Sequence, residues 1–252
     1  MSSSASLAAD GVAPTDPPRL PAGRTWRAAM LAADAIRTRG ATYPALAAHL
    51  AEDTRDFLAS RVPLAGARVL DLASGHGGHA TALSGDGTWV VSADLVPRGG
   101  VRRTVADAAR LPFAAGSFDG IVCSNLLEHV PSAPPIVREI ARVVRPGGWV
   151  YLSWSAWYGP LGGHEYSPWH LLGVRPARVI GGLAGVSGRR NVPGIELFPV
   201  HVGRTIEGIR STGLFDVRFA GPRYWPSLSW IVRVPGFREI ATWNCLLFME
   251  RR

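Results

Sequence analysis

The sequence predicts a doubly wound α/β fold, and three observations point to it. Short apolar runs typical of buried strands alternate with helical patterns between residues 67 and 156. A glycine-rich turn, GHGGHA at 75–80, directly follows the first of these runs. Apolar residues recur at helical spacing over 134–144. Such alternation predicts a mostly parallel sheet that is covered by helices on both faces.

The length and composition predict a single domain with one core. The chain has 252 residues, of which 47% are hydrophobic, as is usual for a globular protein. Residues 1–23 are rich in Ser, Ala, Pro and Gly without an apolar stretch, and are predicted to form a disordered tail rather than a signal peptide. Residues 24–252 are predicted to form the domain.

The elements are predicted in order along this domain. Two helices, at about Trp26–Thr38 and Pro44–Ser60, fill a first part at 24–62. The second part, 66–156, holds the predicted strands at 67–74, 89–95, 103–106, 119–124 and 149–156, with a short helix from Gly78, the helix at 134–144 and a turn at 145–148. A Gly-, Pro- and aromatic-rich insertion follows at 157–210, with one helix near 168–184 and a second beginning at 201. The last part, 211–252, contains strands at 215–225 and 242–252.

The net charge favours an anionic partner, such as nucleic acid, a phosphorylated substrate or an acidic membrane surface, but its distribution argues against nucleic acid. There are 27 Lys and Arg residues against 19 Asp and Glu, a net charge of +8, and every basic residue is arginine. The arginines are scattered, without the clustered basic stripe of a nucleic-acid groove, so we expect a solvated basic surface and no nucleic-acid partner. Cys123 and Cys245 lie in apolar stretches and are predicted to be buried free thiols, in keeping with a cytoplasmic protein. No metal site is predicted, and no apolar run reaches the ~18 residues of a membrane span.

The glycine-rich turn is the first sign of a ligand site. Residues 75–80 fit the pattern G-x-G-x-x-A, in which glycines let the backbone approach a ligand at a helix N-terminus. Asp94, at the end of the next strand, can accept hydrogen bonds from two ribose hydroxyls. Taken alone, these residues indicate an adenosine-bearing ligand, or simply a turn that packs a helix on a strand.

Four longer segments, two of which contain the start of the turn and Asp94, decide between a ligand site and a simple packing turn. They are VLDLASGHGG (69–78), VVSADL (90–95), ADAARLPFAAGSFDGIVCSNLLEHV (106–130) and RVVRPGGWVYLSW (142–154). In this order and spacing they resemble the class I S-adenosylmethionine-dependent methyltransferases, in particular the ubiquinone/menaquinone-methyltransferase-like subgroup with its type 11 methyltransferase domain. Later segments resemble an actinobacterial branch of uncharacterised methyltransferases. The resemblance implies S-adenosyl-L-methionine as the cofactor and a Rossmann-like seven-stranded sheet of order 3-2-1-4-5-7-6, with the last strand antiparallel.

The resemblance also implies roles for individual residues. Asp71, Gly75 and Gly77 would hold the methionine end of the cofactor, and Asp94 the ribose. Asp107 and the backbone of Ala108 would recognise the adenine edge. The remaining cofactor contacts are expected from Ala73, Leu95, Ser124, Asn125 and Leu126. Ala73 replaces the first glycine of the family motif, a small departure that the turn is expected to tolerate.

The residues themselves argue against a nicotinamide dehydrogenase. Asp71 places a negative charge next to the turn where such an enzyme binds a pyrophosphate, and like charges repel in a dry site. The ammonium and sulfonium groups of S-adenosylmethionine favour the same carboxylate. The sequence therefore favours a methyltransferase.

Candidate acceptor-side residues follow the later strands. His164 and Glu165 lie in a glycine-rich loop after the strand at 149–156, where a lid is expected, and His129 lies in LLEHV after the strand at 119–124. Histidine suits proton removal from a hydroxyl because its pKa is ordinarily about 6.5. His164, His129 and Glu165 are therefore the catalytic candidates. The alternatives are a surface loop that only caps local structure for His164 and Glu165, and a pocket-lining role for His129.

The predicted function is methyl transfer, with oxygen as the favoured target atom, on a small-molecule, glycan or lipid-linked acceptor. The rival prediction is a non-catalytic family member that binds the cofactor and serves as a partner or scaffold. The Trp-rich segment 223–243 has three open interpretations: core, acceptor pocket, or contact with an anionic bilayer. In the last case the protein would be peripheral at the inner membrane face. The oligomeric state is not predicted.

Overall fold

The computed structural model describes residues 22–38, 43–85, 87–96, 98–186 and 191–252. Its seven-stranded sheet has the order β3-β2-β1-β4-β5-β7-β6, and β7 runs in the direction opposite to the other six strands. The strands are β1 (Arg68–Leu72), β2 (Trp89–Asp94), β3 (Thr104–Val105), β4 (Phe118–Ser124), β5 (Val144–Ser155), β6 (Phe215–Pro222) and β7 (Asn244–Arg251). The predicted fold class and strand order are confirmed.

The helices lie on both faces of this sheet. They are α1 (Ala22–Arg37), α2 (Tyr43–Ala59), α3 (Gly78–Ser84), α4 (Ala133–Val143), α5 (Val174–Leu183), α6 (Val202–Ser211) and α7 (Phe237–Ala241). The predicted tail lies outside the described residues as far as residue 21, and α1 begins at Ala22.

Two apolar layers cover the sheet. One joins the strands to α4 and α6, with Ile136, Ile140 and Ile206 among its members. The other includes Phe57 of α2, whose ring meets the rings of Tyr151 and Phe248 edge-on at 5.5 Å. Buried aromatic pairs of this kind are worth about 0.5–1.5 kcal/mol beyond the area they bury. Because both faces are covered, function is confined to the sheet's edges and ends.

The structure departs from the sequence prediction at the start of β5. The predicted turn at 145–148 belongs to the strand, since Val144 already pairs with Phe118 of β4. The strand is irregular where the turn was predicted: Gly147 has a φ of 71°, and the pairing register with β4 shifts between Phe118 and Gly120. A glycine tolerates this left-handed backbone without strain, which explains why the strand continues.

The first part of the predicted insertion, residues 157–200, folds back against the carboxyl end of the sheet. It contains 3-10 turns at His164–Tyr166 and Trp169–Leu172, followed by α5. Two backbone hydrogen bonds fix its ends: Trp157 donates to the carbonyl of Val200 at 3.0 Å, and Phe198 donates to the carbonyl of Glu128 at 2.8 Å. The second bond fastens the returning chain to the residues that follow β4.

Candidate functional site

The predicted cofactor residues meet at the carboxyl ends of β1, β2 and β4. The backbone N–H of Gly75 donates to Oδ2 of Asp94 at 2.8 Å, and that of Val96 donates to Oδ1 of Asp94 at 2.9 Å. These bonds fix the carboxylate, and each oxygen retains a lone pair for a further donor. Leu95 is 67% exposed beside it. A fixed acceptor next to an exposed apolar side chain suits a ribose and its attached base.

Three glycines at and near the turn, Gly75, Gly77 and Gly99, differ in how much space surrounds them. Gly75 has a φ of 50°, and a Cβ there would meet nothing within 4 Å, so the turn is open at this residue. A Cβ at Gly77 would come within 2.1 Å of the backbone nitrogen of Gly100. A Cβ at Gly99 would come within 2.2 Å of the carbonyl oxygen of His76. Gly77 is therefore required by the chain's own loop after β2, while Gly75 is the one that leaves room for a ligand.

Ala73 takes the strained position of the turn. Its φ is 58°, in the left-handed region where a Cβ costs about 1–2 kcal/mol and glycine is unstrained. The structure thus gives the physical reason for the family's glycine at this point. It also shows that alanine is accommodated here with the turn intact.

Asp71 lies beneath the turn, where it is only 1% exposed. Its Oδ2 accepts the backbone N–H of Ala80 at 3.0 Å, which anchors the first turn of α3. Burial, aided by the charge of Asp94, raises the pKa of Asp71 to about 7. The hydroxyl oxygen of neighbouring Ser74 is buried without a hydrogen-bond partner among the described residues. A buried carboxylate and an unpartnered hydroxyl fit a cationic, hydrogen-bonding group such as an ammonium.

Asp107 and Ala108 follow the short strand β3. Oδ1 of Asp107 accepts the backbone N–H of Ala109 at 2.9 Å, and the side chain is exposed. Ala108 is buried. The backbone N–H of Ala106, next to Asp107, donates to the carbonyl of Asp94 at 3.0 Å, which places both residues beside the end of β2. Their predicted contact with adenine stays a prediction.

Ser124 ends β4, Asn125 and Leu126 follow it, and all three are partly buried. Asn125 has a φ of 57°, and its Oδ1 accepts a hydrogen bond from Nδ2 of Asn244 at 2.8 Å. Its side chain also shares a hydrogen bond with Tyr43 of α2. This network holds the chain after β4 in a sharp turn and brings the N-terminal helices to the same edge of the sheet.

A buried arginine, which the sequence reasoning did not identify, lies below these residues. Arg223 is 6% exposed and donates to Oγ of Ser124 at 2.9 Å and to Oγ1 of Thr54 at 2.9 Å. It also lies 3.4 Å from Nε2 of His79 in α3. Among the described residues no carboxylate pairs with it. It therefore links α2, α3 and β4 through hydrogen bonds rather than through an ion pair.

The acceptor side contains a second polar group of residues, Glu128, His129 and His164, which we call the acceptor cluster. The imidazole rings of His129 and His164 meet edge-on with centroids 5.1 Å apart. Glu128 is 1% exposed, and its Oε1 accepts the backbone N–H of Ser155 at 3.0 Å. Oε2 of Glu128 and Nδ1 of His164 are both buried without a partner among the described residues. The structure thus brings the two predicted histidines together and adds Glu128.

Burial sets the charge state of this cluster. It lowers the pKa of His164 to about 3, with the neighbouring His129 acting in the same direction. Burial also raises the pKa of Glu128. The ring of His164 is therefore neutral at physiological pH and presents a lone pair, and the ordinary histidine pKa assumed from the sequence does not apply to it.

Glu165 does not join the acceptor cluster. Its carboxylate accepts hydrogen bonds from Nδ2 of Asn191 at 3.0 and 3.3 Å. This contact ties the loop after β5 to the returning chain at 191, which matches the loop-capping alternative. Its predicted catalytic role stays a prediction without support from a contact in the cluster.

The segment 223–243 divides between core and surface. Tyr224, Ile231 and Val232 are buried. Trp230 and Phe237 are 50% and 47% exposed and stack on each other with centroids 6.0 Å apart. None of the helices in the described residues is both long and apolar enough to span a membrane. Part of the segment is thus core, and part is an exposed aromatic surface.

Comparison with known sequences adds three findings. Residues 70–152 match the family model described as a methyltransferase domain. An uncharacterized methyltransferase of Mycobacterium sp. (strain JLS) is 36% identical over 219 residues, covering 80% of this chain and 85% of the relative. An uncharacterized methyltransferase of Mycobacteroides abscessus is 35% identical over 225 residues, covering 81% and 86%.

Solved structures share the fold. An S-adenosylmethionine-dependent methyltransferase from Mesorhizobium loti is similar with a TM-score of 0.53 and 21% identity, over 77% of this chain and 95% of that one. The magnesium protoporphyrin IX methyltransferase of Synechocystis, with bound SAH, has a TM-score of 0.54 and 15% identity, over 84% and 86%. At these identities the likeness concerns the architecture.

Proposed function

Because this chain belongs to the class I S-adenosylmethionine-dependent methyltransferases, we propose that it methylates an oxygen atom of a small-molecule, glycan or lipid-linked acceptor. The acceptor cluster supports oxygen as the methylated atom. Oε2 of Glu128 and Nδ1 of His164 are buried atoms whose lone pairs have no hydrogen-bond donor among the described residues. An acceptor hydroxyl can supply that donor, whereas a carbon acceptor cannot.

The cofactor supplies a methyl group that is already activated on a sulfonium. Asp94, held by Gly75 and Val96, would accept hydrogen bonds from the ribose, and Asp71 and Ser74 would lie beneath the ammonium end. The protein's remaining tasks are to align the acceptor and exclude water. The 157–210 insertion would help to align the acceptor and to exclude water, since it carries His164 and is hydrogen-bonded to the residues after β4.

Product analysis tests this proposal. The protein is incubated with methyl-labelled S-adenosylmethionine and fractionated extract of an actinobacterium, and labelled products are identified by mass spectrometry and by the stability of the new bond. We expect a methyl ether or methyl ester. A labelled N-methyl or C-methyl product would contradict the choice of oxygen. Turnover absent with every fraction, despite cofactor binding, would favour the scaffold alternative.

Replacing Asp94 by alanine should weaken cofactor binding by about 1.5–3 kcal/mol, the scale for lost hydrogen bonds to a charged group. Calorimetric titration with S-adenosylhomocysteine measures this loss. Asp216→Ala is the matched control, because Asp216 is an exposed carboxylate in β6 that pairs with Arg252 at 2.6 Å. A folded Asp94→Ala variant with an unchanged dissociation constant would remove Asp94 from the site.

A lipid-linked acceptor is supported by the aromatic surface around Trp230 and Phe237. Ile240 and Leu228 are exposed in the same segment, by 62% and 42%, and Arg233 is also exposed. Apolar and basic side chains together suit an anionic membrane surface. We propose that this face contacts the membrane while the acceptor enters the site.

Vesicle binding checks this proposal. The protein should co-sediment with anionic vesicles at low salt, and less at high salt because exposed charges are screened. A Trp230→Ser, Phe237→Ser double variant should bind about tenfold or more weakly, since each ring contributes ~1.5–3 kcal/mol when fully buried. Vesicles of neutral lipid are the control. No sedimentation of the parent at low salt would refute the membrane contact.

A further inference from the structure

We propose that the acceptor cluster is a binding site for a divalent transition-metal ion, with Glu128, His129 and His164 as its protein ligands. The inference deepens the proposed function and rests on it for the role of the ion, which is to hold the acceptor's hydroxyl oxygen. The geometry of the three donors, the contacts behind each of them and the chemistry of the set support it.

The three side chains each offer a ligand atom, and these atoms all lie within 4.8 Å of one another. Zinc binds nitrogen and oxygen ligands at about 2.0–2.2 Å, so one ion can reach three atoms at this spacing after small side-chain adjustments. Two imidazoles with one carboxylate are the donor set of catalytic zinc and of iron(II) sites that keep positions open for substrate. Magnesium and calcium prefer oxygen ligands and are not expected here.

Each ligand is held from behind by the backbone. Nδ1 of His129 lies 3.0 Å from the carbonyl oxygen of Glu196. That carbonyl can only accept, so Nδ1 carries the proton and Nε2 is left with its lone pair. A histidine whose second nitrogen donates to a carbonyl is the usual arrangement of a metal ligand.

The other two ligands follow the same pattern. The ring of His164 interacts with the backbone carbonyls of Leu161 and Gly162, and its Nδ1 is buried without a partner among the described residues. Oε1 of Glu128 accepts the N–H of Ser155, while its Oε2 is buried and unpartnered. Each side chain thus has one polar atom tied to the backbone and another left free.

Electrostatics favours a cation among these atoms. Glu128 is buried and the two histidines are partly buried. Lone pairs that converge there repel one another, and an unsatisfied buried carboxylate oxygen is costly. A cation relieves both effects at once. Three protein ligands leave further coordination positions open, and a bound hydroxyl oxygen there would lose its proton more readily. The ion would therefore position the acceptor and assist its deprotonation.

Metal binding is measured directly on protein without a histidine tag that has been dialysed against a chelator. Calorimetry with Zn²⁺ and the visible absorption of Co²⁺ should both report one site per chain. Glu128→Gln and His164→Ala should weaken Zn²⁺ binding by at least about 100-fold, the upper end of the cost of losing even an outer-shell partner. His201→Ala is the matched control, since His201 lies outside the cluster, 3.9 Å from Glu239. Mg²⁺ should give no comparable heat.

The outcomes separate this inference from the proposed function. Failure of the parent to bind Zn²⁺ and Co²⁺, or equal binding by parent and by folded Glu128→Gln and His164→Ala variants, would overturn the metal site. If metal-free protein still binds S-adenosylhomocysteine and methylates an oxygen acceptor at the full rate, the proposed function stands and the role of the ion falls. If one ion binds through the cluster but the methylated atom is not oxygen, the metal site stands and the proposed function fails.

Discussion

His164→Ala should lower turnover by about 10²–10⁴-fold, the usual range for lost assistance to proton transfer at the reacting centre. With its pKa lowered to about 3, His164 is too weak a base to take the proton itself, and it would act as a ligand of the proposed ion that assists deprotonation of the acceptor. The variant should bind S-adenosylhomocysteine as the parent does, because His164 belongs to the loop after β5 and not to the glycine-rich turn. Steady-state rates and calorimetry on the same preparation measure the two quantities.

His201→Ala is the control for this experiment, since it removes a histidine outside the cluster and should keep its turnover. Two results would change the assignment. Full turnover in His164→Ala together with an inactive His129→Ala would transfer the role to the residues after β4. Full turnover in both variants would mean that the enzyme only aligns its acceptor, as expected for a nitrogen or an already ionised oxygen.

Arg223→Met should reduce the free energy of unfolding by about 1–3 kcal/mol, the scale for leaving buried polar groups without a hydrogen bond. Methionine keeps the volume of the stem but removes the donor of Thr54, and it leaves Ser124 with the hydroxyl of Ser153 as its remaining donor. For a chain of this size the melting temperature should fall by roughly 5 °C. Thermal and urea unfolding followed by circular dichroism measure the change.

Arg218→Met is the matched control, because Arg218 lies on the surface in β6, the strand that ends just before Arg223, and pairs with Glu250 at 2.8 Å. Exposed pairs are worth about 0–1 kcal/mol, so this variant should be nearly as stable as the parent. Unchanged stability in Arg223→Met, combined with lost cofactor affinity, would contradict the structural role and assign Arg223 to ligand binding.

The cofactor half of the molecule could be predicted because its signals are local. Strand, glycine-rich turn and acidic residue follow one another within a few positions, and parallel strands bring their carboxyl ends to one edge. The strand order, the enzyme class and S-adenosylmethionine as cofactor are confirmed. Assignment to the ubiquinone/menaquinone-like subgroup stays a prediction, as do the domain boundaries and the roles of the individual site residues.

The acceptor side was harder to predict because its contacts join distant parts of the chain. Glu128 and His164 lie 36 positions apart, and only the fold of the insertion brings them together. The available signal for Glu128 was its position directly before His129, which was predicted as a candidate. Arg223 gave none, since a buried arginine cannot be distinguished by sequence from the many exposed ones.

At Gly77 the sequence motif is present, but the structure gives a different reason for the glycine than ligand binding. The motif predicts that this glycine admits a ligand, but a Cβ here would collide with the backbone of Gly100. The described residues between β2 and β3 include no helix, and this short connection closes directly over the turn. Sequence patterns report that a glycine is required, and the structure identifies the neighbour that requires it.

Titration of the purified protein with S-adenosylhomocysteine and with NAD⁺ tests most directly the claim that the glycine-rich turn and Asp94 form an S-adenosylmethionine site. S-adenosylhomocysteine should bind at one site per chain, and NAD⁺ should give no binding heat at a pH well above 7, where the buried Asp71 is ionised and opposes a pyrophosphate. Tight binding of NAD⁺ without binding of S-adenosylhomocysteine would contradict this assignment.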